Sequence, residues 1–151
     1  MNSKDTPAKL RPVEELLNKY AESHQNPVNE WIHFVCVPVI MWTVLGLIWA
    51  IHPLLALVAA LLALGYYISL SIPFAFGMGM MAAAMLGILY LLPQALVLKS
   101  ALSAFVIAWI FQFIGHKIEG KKPSFFDDLR FLLIGPLFVL GFLYRRLRIS
   151  Y

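Results

Sequence analysis

Four long apolar runs dominate this 151-residue chain, at about 32–51, 54–72, 74–92 and 97–115. Each run approaches the roughly 20 residues that a helix needs to cross a ~30 Å hydrocarbon layer. Only 13% of the residues are charged, whereas a soluble domain averages about 25%. A large core would not explain that deficit. The sequence therefore predicts an all-α integral membrane helical bundle with about four transmembrane helices.

Proline-containing breaks separate these runs, with HP at 52–53, SIP at 71–73 and LPQALVLKS at 92–100. Proline is disfavoured inside a helix and disfavours helix at the residue before it, so each break predicts a corner. The third run also carries a series of small residues, which lets transmembrane helices approach closely. We therefore expect this series to pack within the bundle; its members are Gly77, Gly79, Ala82, Ala83, Ala84 and Gly87.

The segment before the first run predicts a short amphipathic helix. Its apolar residues recur at three- and four-residue steps, as on one face of a helix; they are Leu10, Val13, Leu16, Leu17 and Tyr20. We expect residues 10–24 to form an interfacial helix lying on the membrane surface. We expect residues 1–9 to be flexible and residues 27–145 to form the bundle, so that 1–151 make a single membrane domain.

A fifth apolar run at 129–144 is short and carries Gly135-Pro136 at its centre, so it could be a kinked span or a re-entrant hairpin. Charge favours the second path. With four spans, both ends of the bundle lie on one side of the membrane, together with most of the 12 Lys and Arg residues, while Lys99 lies opposite. A crossing fifth segment would place Arg145, Arg146 and Arg148 on the wrong side. The positive-inside rule thus predicts a non-crossing segment and a cytoplasmic charged face.

The net charge of +4 could indicate binding to nucleic acid. However, the basic residues flank apolar runs instead of forming a stripe, which is typical of attraction to anionic lipid headgroups. We therefore expect a lipid bilayer as the partner and no nucleic acid. A bacterial inner membrane and an endoplasmic reticulum membrane are both compatible with this composition.

The stretch YAESHQNPVNEWIHF, residues 20–34, gathers polar side chains at the border of the first run. His24 and His33 are nine residues apart and would face opposite ways on one continuous helix. Asn26 can cap a new helix that begins at Pro27, and the resulting bend could aim both imidazoles at one point. Asn29 lies four residues before His33 on the same face, where it could orient a ligand, bind one or hydrogen-bond a substrate.

A second polar group ends the fourth run, in WIFQFIGHKIEGKKP at 109–123. Gln112, His116 and Glu119 lie at four- and three-residue spacing on one side of the helix, and Gly115 lets another backbone come close. The predicted topology places His116 on the same side as the first two histidines. Imidazole and carboxylate are ligands of zinc and of non-haem iron, so we predict a metal or catalytic site here.

His52 falls on the opposite side, where we expect an ordinary interfacial histidine. Because di-iron membrane oxygenases use about eight histidines and this chain has four, we expect at most one metal ion.

These two motifs resemble the signatures of the membrane-embedded 2-hydroxy fatty acid dioxygenases, known from fungi and bacteria. The first matches a Tyr-x3-His-x4-Asn-x3-His-x4-Pro frame. The second, WIFQFIGHKIEGKKPSFFDDLRFLLIGPLF, is similar to a Trp-x2-Gln-Phe-x-Gly-His-x2-Glu-x3-Pro segment that is followed by Gly-Pro-x-Phe. Two positions depart from the pattern: Ser124 stands where alanine is common, and Asp128 where asparagine is expected.

The resemblance implies an Fe(II)-dependent dioxygenase that uses O2 to convert a long-chain 2-hydroxy fatty acid into a fatty acid one carbon shorter. It implies His24, His33 and His116 as iron ligands, with Glu119 as a fourth ligand or as a partner that orients His116. Asn29 and Gln112 would hydrogen-bond the ligands or the substrate. Lys117, with Lys121 and Lys122, could attract the substrate carboxylate, although all three could equally contact lipid headgroups.

Other functions stay open at this point. A different lipid-modifying metalloenzyme, such as a zinc hydrolase of esters or amides, would use the same residues. A haem protein with paired histidines is less compatible, because His24 and His33 precede the first span. A non-catalytic lipid-binding scaffold would also fit the apolar spans.

Overall fold

The computed structural model describes residues 10–151, and the expectation of a flexible segment at 1–9 lies outside this range. The described part forms helices connected by short corners: α1 Pro12–Ala21, α2 Pro27–Ile51, α3 Pro53–Leu70, α4 Ile72–Leu91, α5 Gln94–Glu119 and α6 Phe131–Arg146, with a 3₁₀ turn at Ser124–Phe126 between the last two. Helices α2 to α5 are long and apolar enough to cross a membrane. The predicted all-α integral membrane bundle is therefore confirmed.

A polar side chain and a nearby proline start three of the long helices. Asn26 Oδ1 accepts a hydrogen bond from the Val28 amide at 2.9 Å, and Pro27 occupies the first turn. At the next corner, His52 Nδ1 accepts from the Leu54 amide at 3.2 Å. These side chains satisfy amides that a helix start leaves without partners. His52 lies exposed at the opposite end of the bundle from α1 and serves as a helix cap.

Helix α2 is the centre of the bundle and packs against α3, α4, α5 and α6. Its most extensive contact is with α5, and glycine permits the close approach at two depths. A side-chain atom on Gly46 would lie 2.9 Å from Ala101 Cβ, and one on Gly115 would collide with the Asn29 side chain. The expectation that Gly115 allows close approach is therefore confirmed, and the neighbour is a polar side chain.

The glycines of α4 have different surroundings. Gly77 packs against Tyr144 and Leu140 of α6, and Gly79 faces Leu64 of α3. A methyl group added at Gly87 would instead have no atom of residues 10–151 within 4 Å. The expectation of bundle packing is therefore right for the first two glycines and wrong for Gly87.

Helix α1 buries its apolar face in protein and does not rest it on lipid. Val13, Leu17 and Tyr20 are buried and belong to one core cluster with Phe131 and Phe138 of α6. The predicted amphipathic helix is confirmed and its expected position at the membrane surface stays a prediction, but its apolar face contacts α6 and not lipid. The reason is that α6 supplies an apolar partner, which local periodicity could not reveal.

Helix α6 is one continuous helix that contains Pro136, so the fifth apolar run does not fold into a hairpin. Both of its ends contact the same corner of the bundle. The Leu133 carbonyl accepts a hydrogen bond from Tyr67 Oη at 3.0 Å, and Tyr144 Oη donates to the Pro73 carbonyl at 2.7 Å. Since Tyr67 and Pro73 flank the α3–α4 corner, α6 lies across that end of the bundle. This path agrees with a non-crossing segment.

Replacing Gly77 with alanine should destabilise the protein by about 1–3 kcal/mol, the usual cost of overpacking. The added methyl would displace Tyr144 and break its hydrogen bond to Pro73. Gly87→Ala on the same helix is the matched control, because its methyl meets open space. Thermal unfolding in detergent measures both variants, and equal stability for the two would contradict this view of α6 docking.

The path of α6 predicts that the two ends of the described chain lie on one side of the membrane. The single cysteine, Cys36, is buried and can be replaced by alanine. In that background, cysteines introduced by Lys19→Cys and Ser150→Cys should react with an impermeant reagent from the same side, and Lys99→Cys from the other. Labelling of position 150 together with position 99 would show that α6 crosses.

Candidate metal and substrate site

Three histidines from three separate parts of the chain meet at one end of the bundle. His24 lies in the connection between α1 and α2, His33 on α2 and His116 on α5. Their ring centroids are 4.1 Å apart for His24 and His33, 4.8 Å for His33 and His116, and 5.1 Å for His24 and His116. Each is at most 5% exposed. The bend at Pro27 thus aims the first two rings at a common point, and α5 brings the third.

Hydrogen bonds orient two of these rings in the same way. His24 Nδ1 lies 2.7 Å from the Tyr20 carbonyl oxygen, and His33 Nδ1 lies 2.8 Å from the Asn29 carbonyl oxygen. A carbonyl only accepts, so each Nδ1 carries the proton and each Nε2 keeps a free lone pair. Within residues 10–151, His24 Nε2 and His116 Nδ1 are buried without a hydrogen-bond partner. Buried nitrogens of this kind are what a metal ion would satisfy.

The donor geometry fits one metal ion. Each of the three histidines offers a nitrogen, and these atoms lie within 4.8 Å of one another. Metal–nitrogen bonds of about 2.0–2.1 Å would draw them to within about 4 Å, a shift of less than about 1 Å. Burial also lowers the pKa of His24 to about 4, so this imidazole is neutral near pH 7 and free to coordinate. Imidazole ligands suit iron, zinc and copper.

Glu119 holds the connection between α1 and α2 against α5. Its carboxylate accepts hydrogen bonds from the amides of Gln25 at 2.9 Å and Asn26 at 2.8 Å, and from Asn29 Nδ2 at 3.1 Å. In the described part of the chain, the group of potential metal ligands consists of the three histidines and does not include Glu119. The geometry therefore favours a structural role for Glu119 over its expected role as a metal ligand or as a partner of His116. We call this group of hydrogen bonds between Glu119 and residues 25–29 the clasp.

Asn29 links the clasp to the histidines. It is fully buried, its Nδ2 donates to the Ser23 carbonyl at 3.1 Å as well as to Glu119, and its own carbonyl accepts from His33. Of the roles considered from the sequence, this arrangement favours ligand orientation over contact with a substrate.

Tyr20 and Ser23 belong to the site, although neither was predicted as a site residue. The Tyr20 ring stacks on His24 with centroids 4.1 Å apart and an angle of 11° between the planes. Burial raises the pKa of Tyr20, so its hydroxyl stays protonated. Ser23 Oγ hydrogen-bonds both His24 Nδ1 and Ser124 Oγ. The helical spacing of Tyr20 from Val13 was the signal for its burial.

A cavity of about 710 Å³ begins at the three histidines and continues between the transmembrane helices. Gln112, 4% exposed, lines it one turn from His116, and its Nε2 has no hydrogen-bond partner among the described residues. Lys117 is exposed and is not among the lining residues. The cavity therefore has a polar end at the histidines, and Lys117 lies outside it.

The two departures from the family pattern lie in different places. Ser124 lines the cavity and hydrogen-bonds Ser23. Asp128 instead binds Arg130 at the surface, with 2.6 Å between Oδ2 and Nη2. Asp128 therefore does not line the cavity.

Apolar side chains line the rest of the cavity and open it towards lipid. Leu57 and Leu61 of α3 line the cavity and are also 44% and 57% exposed. Phe105 and Trp109 of α5 also line the cavity. An aliphatic chain in the bilayer could therefore reach the histidines without passing through water.

The chain is similar to known proteins over nearly all of its length. A family described as "2-hydroxy-palmitic acid dioxygenase Mpo1-like" matches residues 10–147. The chain is also 32% identical over 141 residues to the 2-hydroxy-palmitic acid dioxygenase MPO1 of Saccharomyces cerevisiae, a match that covers 87% of this chain and 79% of the yeast protein. No solved structure gives a significant match. The chain thus belongs to the Mpo1-like family of 2-hydroxy-palmitic acid dioxygenases.

Proposed function

We propose that this protein is a membrane-embedded, Fe(II)-dependent dioxygenase that converts long-chain 2-hydroxy fatty acids with O2 into fatty acids one carbon shorter. The observation that carries the proposal is the buried triad of His24, His33 and His116 at the polar end of an apolar cavity. Membership of the family supports the reaction, and the cavity supports an aliphatic substrate. Both features belong to a single membrane domain.

The three histidines would hold the iron. Bound there, Fe(II) would supply the activation of O2 that the oxidation of a 2-hydroxy acid requires. The carbonyl partners of His24 and His33 fix the Nε2 atoms towards the ion, which is how surrounding groups orient metal ligands. Tyr20, stacked on His24, restricts that ring further.

The substrate would lie with its carboxylate near the triad and its chain in the cavity. Gln112 Nε2, which has no hydrogen-bond partner among the described residues, would donate a hydrogen bond to the carboxylate or the 2-hydroxyl. The apolar walls would exclude water from the reacting end. By the positive-inside rule, this end of the bundle faces the cytoplasm. Lys117 lies outside the cavity and is left in contact with headgroups or solvent.

Incubating the purified protein with Fe(II), O2 and 2-hydroxypalmitate tests the function. We expect oxygen uptake together with pentadecanoic acid as the product. A hydrolysed ester or amide, with zinc as the bound metal and no oxygen uptake, would instead establish a different metalloenzyme.

Replacing His116 with alanine should abolish turnover and lower the amount of bound iron, because it removes one of three ligands. His52→Ala is the matched control, since His52 is exposed at the other end of the bundle. Metal analysis after anaerobic purification measures both variants. Full activity in the His116 variant would remove that residue from the site.

Glu119→Gln should lower iron affinity by about 10- to 100-fold, the usual effect of changing a group that orients metal ligands. One carboxylate oxygen would become an NH2 group facing the backbone amide of either Gln25 or Asn26, and that amide cannot accept a hydrogen bond. Glu15→Gln is the control because Glu15 is exposed on α1. Iron-binding isotherms give the comparison, and identical affinities would show that the clasp does not position the site.

A further inference from the structure

The cavity is long enough to take most of an extended acyl chain. Its lining follows α2 from His33 to Ile48, a rise of about 22 Å at ~1.5 Å per residue. An extended chain advances ~1.2 Å per single bond, as the backbone dimensions show, so this length corresponds to roughly 18 carbons. Near this depth the cavity borders a buried cluster of Leu45, Met85, Leu89 and Val97, of which Leu45 also lines the cavity.

Small residues line the cavity at a shared depth, among them Ala59 and Ala60 of α3 and Ala82 and Ala83 of α4. Gly79 of α4 lies against Leu64 of α3, with 3.5 Å between Leu64 Cδ1 and a side-chain atom placed on the glycine. Ala83 and Ala60 each lie one helical turn farther from the histidines on the same helix faces, and both line the cavity. Counted along α2 and α3 from the His52 corner, Ala60 lies about 16 Å below His33.

Bulkier side chains also line the cavity at this depth. Phe105 and Leu61 line the same part of the cavity from α5 and α3. Because Ala60 and Ala83, together with the neighbouring Ala59 and Ala82, are small side chains, they leave room for the acyl chain to continue towards Ile48. A larger side chain at either position would narrow the cavity between α3 and α4 after roughly 13 carbons.

We propose that Ala60 and Ala83 determine the chain length that this protein accepts, by keeping the lower part of the cavity open for acyl chains longer than about 13 carbons. The proposal rests on the proposed function only for the orientation of the chain, with the carboxylate at the histidines. The methyl end lies between α3 and α4, close to the cluster around Leu45.

Direct binding of radiolabelled decanoic and stearic acids to the purified protein in detergent tests the proposal. These acids lack the 2-hydroxyl, so binding is measured apart from turnover. Ala83→Phe should weaken stearate binding by about tenfold or more relative to decanoate, because each displaced methylene loses its apolar contacts. Ala84→Phe is the matched control, since Ala84 is exposed on the same helix and does not line the cavity. Its ratio of affinities should equal that of the unaltered protein.

Ala60→Leu provides a second variant that reaches the same depth from α3, in case the phenylalanine variant does not fold. The proposal is overturned if either folded variant keeps the unaltered ratio, or if Ala84→Phe shifts the ratio as much as Ala83→Phe. Oxygen uptake on 2-hydroxypalmitate is measured in parallel. A length-dependent change in binding without any oxygen uptake would contradict the proposed reaction but would support the proposed role of Ala60 and Ala83.

Discussion

The close contact between α2 and α5 is the interaction on which the site depends. Two glycines, Gly46 and Gly115, let the helices approach at two depths, and the Asn29 side chain fills the space beside the second. Small residues are a general means of bringing helices together in lipid, where apolar burial gives little driving force. Here the contact brings His116 within 5.1 Å of His24 and 4.8 Å of His33, measured between ring centroids.

The clasp at Glu119 stabilises this contact from outside the triad. A carboxylate that accepts three hydrogen bonds from residues 25–29 ties the α1–α2 connection to the end of α5. Charge-assisted hydrogen bonds of this type are among the stronger ones in proteins. Because His24 sits in that connection and not on a helix, its position depends on the clasp more than that of either other histidine.

The same arrangement lowers the cost of burying polar side chains at the end of a membrane bundle. A polar triad is costly in a bilayer unless its groups are satisfied, and the carbonyls of Tyr20 and Asn29 satisfy one nitrogen of two rings. Helix α6 covers this end of the bundle and buries α1, so the site is enclosed by protein on the side facing the headgroups. The opening beside Leu57 and Leu61 leaves access from the hydrocarbon region.

Local sequence was sufficient to predict the four spans, the corners at Pro27, His52 and Ser71, and the residue types of the site, because hydropathy, proline and capping act within a few residues. Tertiary contacts were needed to show that the three rings converge, that Glu119 is a clasp, that Tyr20 stacks on His24 and that α1 packs on α6. Most of these features join segments that are 90 or more residues apart, as between Asn29 and Glu119, and such contacts leave no periodic signal in the chain.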